Sequence, residues 1–176
     1  MDESNKEFWS AEAIQYQKEY FGEELSPEKI SEIQSELGYT IPTSYISLMQ
    51  TRNGGYPVNT CFPTNQPNNW ADDHVAIVGI FGIGKQNELT LCGGTGSQFW
   101  IDEWGYPEIG VYFADCPTAG HQMVALDYRE CGPQGEPKVV YVDQGNDYSI
   151  IELAPDFATF IRGLLPEEQF EEADED

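Results

Sequence analysis

Gly79-Ile80-Phe81-Gly82-Ile83-Gly84-Lys85 fits the G-x(4)-G-K spacing of a phosphate-binding loop, and Val139–Asp143 is shaped like a strand end that would hold magnesium beside it. The chemistry would be nucleotide binding. Backbone amides would cradle the phosphates, the lysine would reach them, and a hydroxyl directly after the lysine would hold the metal. Here that position is Gln86, and Asn87–Gly94 does not read as a helix whose N-terminus faces the phosphates. A strand that leaves through a glycine turn explains these residues better than a nucleotide site.

The other reactive residue types fare no better. Gly93-Gly94-Thr95-Gly96-Ser97 does not match the G-x-S-x-G nucleophile turn, and it reads as a flexible loop. Asp72-Asp73-His74, and Asp115-Cys116 with His121, contain metal-ligand types but lack the short paired spacings of a zinc site. A carboxylate pair for hydrolysis can be drawn from 31 acids almost anywhere, so spacing selects none. No catalytic, cofactor-binding or metal-binding residue is assigned.

Aromatic residues beside acids carry a different chemistry, that of recognition. Phe99-Trp100-Ile101-Asp102-Glu103-Trp104-Gly105-Tyr106 is one such run, and Trp70 with Asp72 and Asp73 repeats the theme. Tryptophans supply buried anchor area at an interface, while carboxylates select a basic partner. The candidate contact patch is therefore Trp70, Asp72, Asp73, Trp100, Asp102, Glu103 and Trp104. The competing reading is that these tryptophans fill the core while the acids face water, as large aromatics usually do.

Charge narrows the partner further. Against 31 acidic residues stand 8 basic ones, a net charge of -23. The last ten residues, Glu167–Asp176, hold 7 of the acids, so without them the balance is still -16. Phosphate backbones and anionic lipid headgroups repel such a chain, which argues against nucleic acid and membrane surfaces and favours a basic protein. The start, MDESNKEFW, has no apolar stretch of the signal-peptide kind, and no run approaches the roughly 18 apolar residues of a membrane helix. Cys61, Cys92, Cys116 and Cys131 lie far apart and read as buried thiols, so a cytoplasmic protein is expected.

The elements that must position these residues follow from punctuation and periodicity. Asn5–Phe21 reads as a weak helix. Ser26 as cap and Pro27 at the first position open a clearer one, with Ile30, Ile33 and Leu37 on one face and Gly38 at its end. A third helix spans about Pro42–Arg52 and leaves through Gly54-Gly55. Tyr56–Trp70, with three prolines and four asparagines, is too broken for regular structure. Val75–Phe81, Gly110–Phe113, Gln122–Tyr128, Lys138–Val142 and Ser149–Leu153 then read as strands of an antiparallel meander. A last helix begins at Pro155, with Phe157, Phe160, Ile161, Leu164 and Leu165 at helical spacing. The fold class is α+β, a single domain with an antiparallel sheet packed against N-terminal helices and a C-terminal helix. Its expected divisions are an N-terminal helical extension (1–25), the α+β domain (26–165) and an acidic disordered tail (166–176).

Two stretches carry a family resemblance. Gly38–Pro57, GYTIPTSYISLMQTRNGGYP, and Met123–Asp143, MVALDYRECGPQGEPKVVYVD, together resemble the SUKH superfamily of Syd- and Knr-like domains, from about Ser26 to about Leu165. The resemblance implies a non-enzymatic domain that binds and neutralises a cognate toxin, often a nucleic-acid-targeting enzyme with a basic cleft, in the manner of bacterial immunity proteins. An alternative it also implies is a regulatory scaffold related to cell-wall-synthesis regulators. Neither the toxin nor the oligomeric state is specified by the sequence.

Overall fold

The computed structural model describes residues 7–171. Its helices and strands build one α+β domain on two antiparallel sheets. The larger sheet runs β3 (Gly79–Ile80), β4 (Gly110–Asp115), β5 (Gln122–Asp127), β6 (Lys138–Asp143), β7 (Ser149–Ala154) in chain order, which is the expected meander. β5, at its centre, is buried at every position. Both faces of the sheet are therefore covered.

Each face has its own aromatic layer. On one side Phe113 meets Tyr45 of α3 (Thr43–Thr51) and Phe157 and Phe160 of α5 (Phe157–Gly163), with ring centroids 5.4–5.9 Å apart. On the other, Tyr106 contacts Tyr112, Tyr148 and Trp100 of α4 (Ser97–Trp104). The edge-to-face geometry adds to the area these rings remove from water.

The punctuation acts largely as read. In α2 (Pro27–Leu37) the Ser26 hydroxyl accepts from the Lys29 amide at 3.0 Å, and Gly38 ends the helix at φ 82°. Asp156 caps α5 by accepting from the Thr159 amide at 2.8 Å. The Gly132–Gly135 turn joins β5 to β6, and Arg129 grips Asp127 through two guanidinium bonds of 2.8 and 3.0 Å.

Several expectations are corrected. Asn5–Phe21 is not one helix: α1 (Ile14–Gln17) and a 3-10 turn (Lys18–Tyr20) follow an extended Phe8–Ser10, while Asn5 and Lys6 lie outside the described residues. The reason is pairing. Val58 donates to Phe8 O at 2.8 Å and Ser10 to Tyr56 O at 2.7 Å, so this segment joins the stretch judged too broken for structure. That same stretch forms β1 (Cys61–Pro63), which pairs with β2 (His74–Ala76), while Cys61 and Leu165 exchange backbone bonds. Both ends of the described chain are thus fastened to Tyr56–Pro63.

Val75–Phe81 is likewise not one strand. It divides into β2 and β3, which belong to different sheets. The crossing point is Gly79, packed so closely under the Tyr20 ring that a Cβ would lie 2.4 Å from it. The tail from 166 carries a helical turn, α6 (Glu168–Glu171), because Phe170 finds a surface in the His74 ring, stacked at 4.1 Å; residues 172–176 lie outside the description. Cys61 and Cys116 are buried as expected, but Cys92 is half-buried and Cys131 sits exposed in the β5–β6 turn.

Candidate functional site

The phosphate-loop look-alike is a packing loop. Gly79, Ile80, Phe81, Gly82 and Ile83 donate their amides to Asp115, Gly55 O, Phe113 O, Tyr20 O and the Asn53 side chain, at 2.7–3.2 Å. The Lys85 amide points at the Glu23 carboxylate, 3.1 Å from both oxygens, and Lys85 Nζ pairs with Glu32 at 2.8 Å. A phosphate would find its donors taken and a carboxylate in its place. The glycines serve close approach: a Cβ on Gly82 would lie 2.3 Å from Asn53 O and 2.5 Å from Gly22 N. Among the described residues, no group of three or more His, Cys, Asp or Glu side chains is placed to hold a metal ion.

The two aromatic–acidic clusters meet different fates. Trp100 is buried at 8% exposure, and its indole N–H donates to Thr95 O at 3.0 Å. Trp104 is half-buried against Trp100 and His121. Asp102 and Glu103 face solvent, with Asp102 held by Gln98 at 2.9 Å. In this half the core reading applies to the tryptophans and the solvent reading to the acids. Trp70, by contrast, is 42% exposed, and Asp72 and Asp73 beside it are exposed as well. The Asn68 side chain fixes this corner, accepting from the Trp70 and Ala71 amides at 2.8 and 3.1 Å and donating to His74 O at 2.9 Å.

A short bridge connects the clusters. Trp104 touches His121, whose Nδ1 meets Gln144 Oε1 at 3.0 Å. Next to Gln144 is Gly145, where a Cβ would lie 3.6 Å from Asn69 Nδ2, adjacent to Trp70. The predicted residues therefore occupy two ends of one surface strip rather than one compact patch.

Sequence reasoning missed the concavity beside Trp70. A groove of about 800 Å³ runs between Glu7–Glu12, Tyr56–Cys61, His74–Val78 and Glu167–Phe170. Val58, 56% exposed, and Trp70 stand at its surface; Trp9, Ile77 and Phe170 supply apolar wall. Glu7, Glu12, Glu167 and Glu168 line it, whereas among the described residues no lysine or arginine does. No local signal in the sequence marks it, because its walls come from segments far apart in the chain.

The N-terminal wall of the groove is anchored from behind. Arg52 lies with its guanidinium 5.0 Å from the Trp9 ring centre, donates to Ser10 O at 2.9 Å and bonds Gln17, itself fully buried. Tyr20 donates its hydroxyl toward both oxygens of Asp115, at 2.8 and 2.9 Å. Burial pushes the Asp115 carboxyl up to about 6, against the lowering effect of its hydrogen bonds.

The antiparallel sheets and the capped helices define a small α+β domain. The profile of the SMI1-KNR4 cell-wall family, SUKH_6, matches residues 27–161, more than half of the chain. The chain belongs to this family, and with it to the SUKH superfamily. Trp9, Gln17 and Tyr20 lie outside the matched span and are nevertheless buried in the domain. No curated protein and no solved structure matches the chain. Among the described residues, no helix is long and apolar enough to cross a membrane.

Proposed function

We propose that this chain is a non-enzymatic protein-binding domain of the immunity type, which neutralises a cognate basic toxin in the cytoplasm by occluding it. The observation that carries the reading is uncompensated acidity. Lys29, Lys85, Arg129 and Lys138 are held in ion pairs within the fold, and net charge is -23. Most carboxylates among the described residues are exposed. An enzyme that acts on nucleic acid presents a basic cleft, and such a field draws in an acidic protein faster than diffusion alone. Competing with phosphate for that cleft requires no chemistry from the inhibitor.

The test is stopped-flow association with the C-terminal toxin domain of any large secreted protein encoded beside this chain, at low and high salt, together with an assay of that domain's activity. Association should slow markedly with salt while dissociation changes less, and activity should fall in proportion to the complex formed. A salt-independent association rate would remove the steering argument; unimpaired activity in the saturated complex would remove occlusion. A second reading, a regulatory scaffold, is supported by the cell-wall description of the matched family. It predicts binding without inhibition.

A further inference from the structure

Resting on the protein-binding reading, we infer that the groove beside Trp70 and Val58 is the docking site, and that its occupant is an extended basic segment of the partner with alternating cationic and apolar side chains. The groove offers two chemistries side by side. Trp70 and Val58 are large apolar groups left at the surface of a domain whose other tryptophans are at least half-buried. Around them stand Glu7, Glu12, Glu167 and Glu168, none of which is ion-paired within 4.0 Å among the described residues. Arginine and lysine match this arrangement because an aliphatic stem packs on apolar surface while the cationic head reaches a carboxylate or the face of an indole.

The site is preformed. Asn68 holds the Trp70 corner, Asp73 fixes the His74 imidazole at 2.8 Å, and Phe170 stacks on that ring. The backbone bonds of Phe8–Ser10 to Tyr56–Val58, and of Leu165 to Cys61, fasten the wall segments to one another. A rigid concavity orders little on binding, so more of the contact energy appears as affinity. The α4 surface lacks this: Asp102 and Glu103 sit on a helix whose tryptophans face inward.

The experiment uses the full chain and two blocked hexapeptides, one alternating arginine and leucine, the other alternating glutamate and leucine. Amide shifts are followed by NMR and affinities taken from the titrations. The arginine peptide should bind saturably and shift Val58, Ala71 and His74, and the glutamate peptide should not bind. Trp70→Ala, which leaves the charge untouched, should weaken the arginine peptide at least tenfold, and Glu167→Lys with Glu168→Lys should do the same. Asp102→Lys with Glu103→Lys, an equal change of charge, should alter affinity less than threefold. Equal weakening by both charge pairs with no effect of Trp70→Ala would show diffuse attraction and overturn the proposal. So would shifts centred on α4, displacement of residues 1–6 or 172–176 from the groove, or shifts that grow with protein concentration alone, the mark of a second copy. Titrating Trp70→Ala against the toxin domain separates the two readings. Unchanged toxin affinity defeats the groove and leaves protein binding intact, whereas a toxin domain that wild type does not bind defeats the function.

Discussion

Trp100 and Trp70 look alike in the sequence, each a tryptophan within three residues of two adjacent acids, yet one is a core residue and the other stands in solvent. The difference lies in the backbone that carries them. Trp100 belongs to a regular helix, where Phe99, Trp104 and Tyr106 surround its ring and the acids two and three residues on point away. Trp70 belongs to a proline- and asparagine-rich loop whose turns are fixed by side-chain bonds from Asn68. A helix sorts its residues by face, so an aromatic beside an acid goes inside while the acid goes out. A loop without a period has no such sorting, and an aromatic left exposed there calls for a partner to explain it.

The comparison breaks most visibly in stability. Trp100→Ala removes a buried ring and leaves Thr95 O without its donor, and it should cost about 3–5 kcal/mol in chemical unfolding. A loss below about 1 kcal/mol would mean that α4 is not packed as described.

The helix faces, caps and meander were legible because each rests on a local signal: Ser26-Pro27, Ile30/Ile33/Leu37, the alternation in Gln122–Tyr128, and Phe157/Phe160. α4 was not, since Gly93–Ser97 reads as loop and the run after it as a surface. Its recognition depends on a sheet face that only the fold supplies, where Ser97 Oγ accepts from the Tyr112 amide at 2.9 Å. The groove was illegible for a stronger reason. Its walls, at Glu7–Glu12, Val58, Trp70 and Glu167–Phe170, come together only through backbone pairings between segments far apart in the chain. Four of the seven expected contact residues sit at α4, away from it.

The anchor of the groove's N-terminal wall gives the next effect, read through pH. Asp115 rises from 3.8 to about 6 in the fold, so the folded state holds its proton more tightly than the unfolded chain. That contribution is fully present below about pH 4 and is lost as pH rises through about 6. Relative to Asp115→Asn, wild type should therefore lose roughly 2 kcal/mol of stability between pH 4 and pH 7. Parallel pH profiles for the two proteins would show that Asp115 titrates normally and that Tyr20 is held by other means.

The smallest effect sharpens the contrast. Trp70→Ala should change unfolding free energy by no more than about 0.5 kcal/mol, as expected of an exposed side chain with few neighbours. A loss of 2 kcal/mol or more would make Trp70 a structural residue like Trp100 and dissolve the distinction between the two clusters.

Calorimetric titration of the full chain against the purified C-terminal domain of any large secreted protein encoded beside it, at low and high salt, tests the central claim most directly. One-to-one binding that is tight at low salt and weaker at high salt is the predicted result. No heat of binding with a folded, active neighbour domain would contradict it.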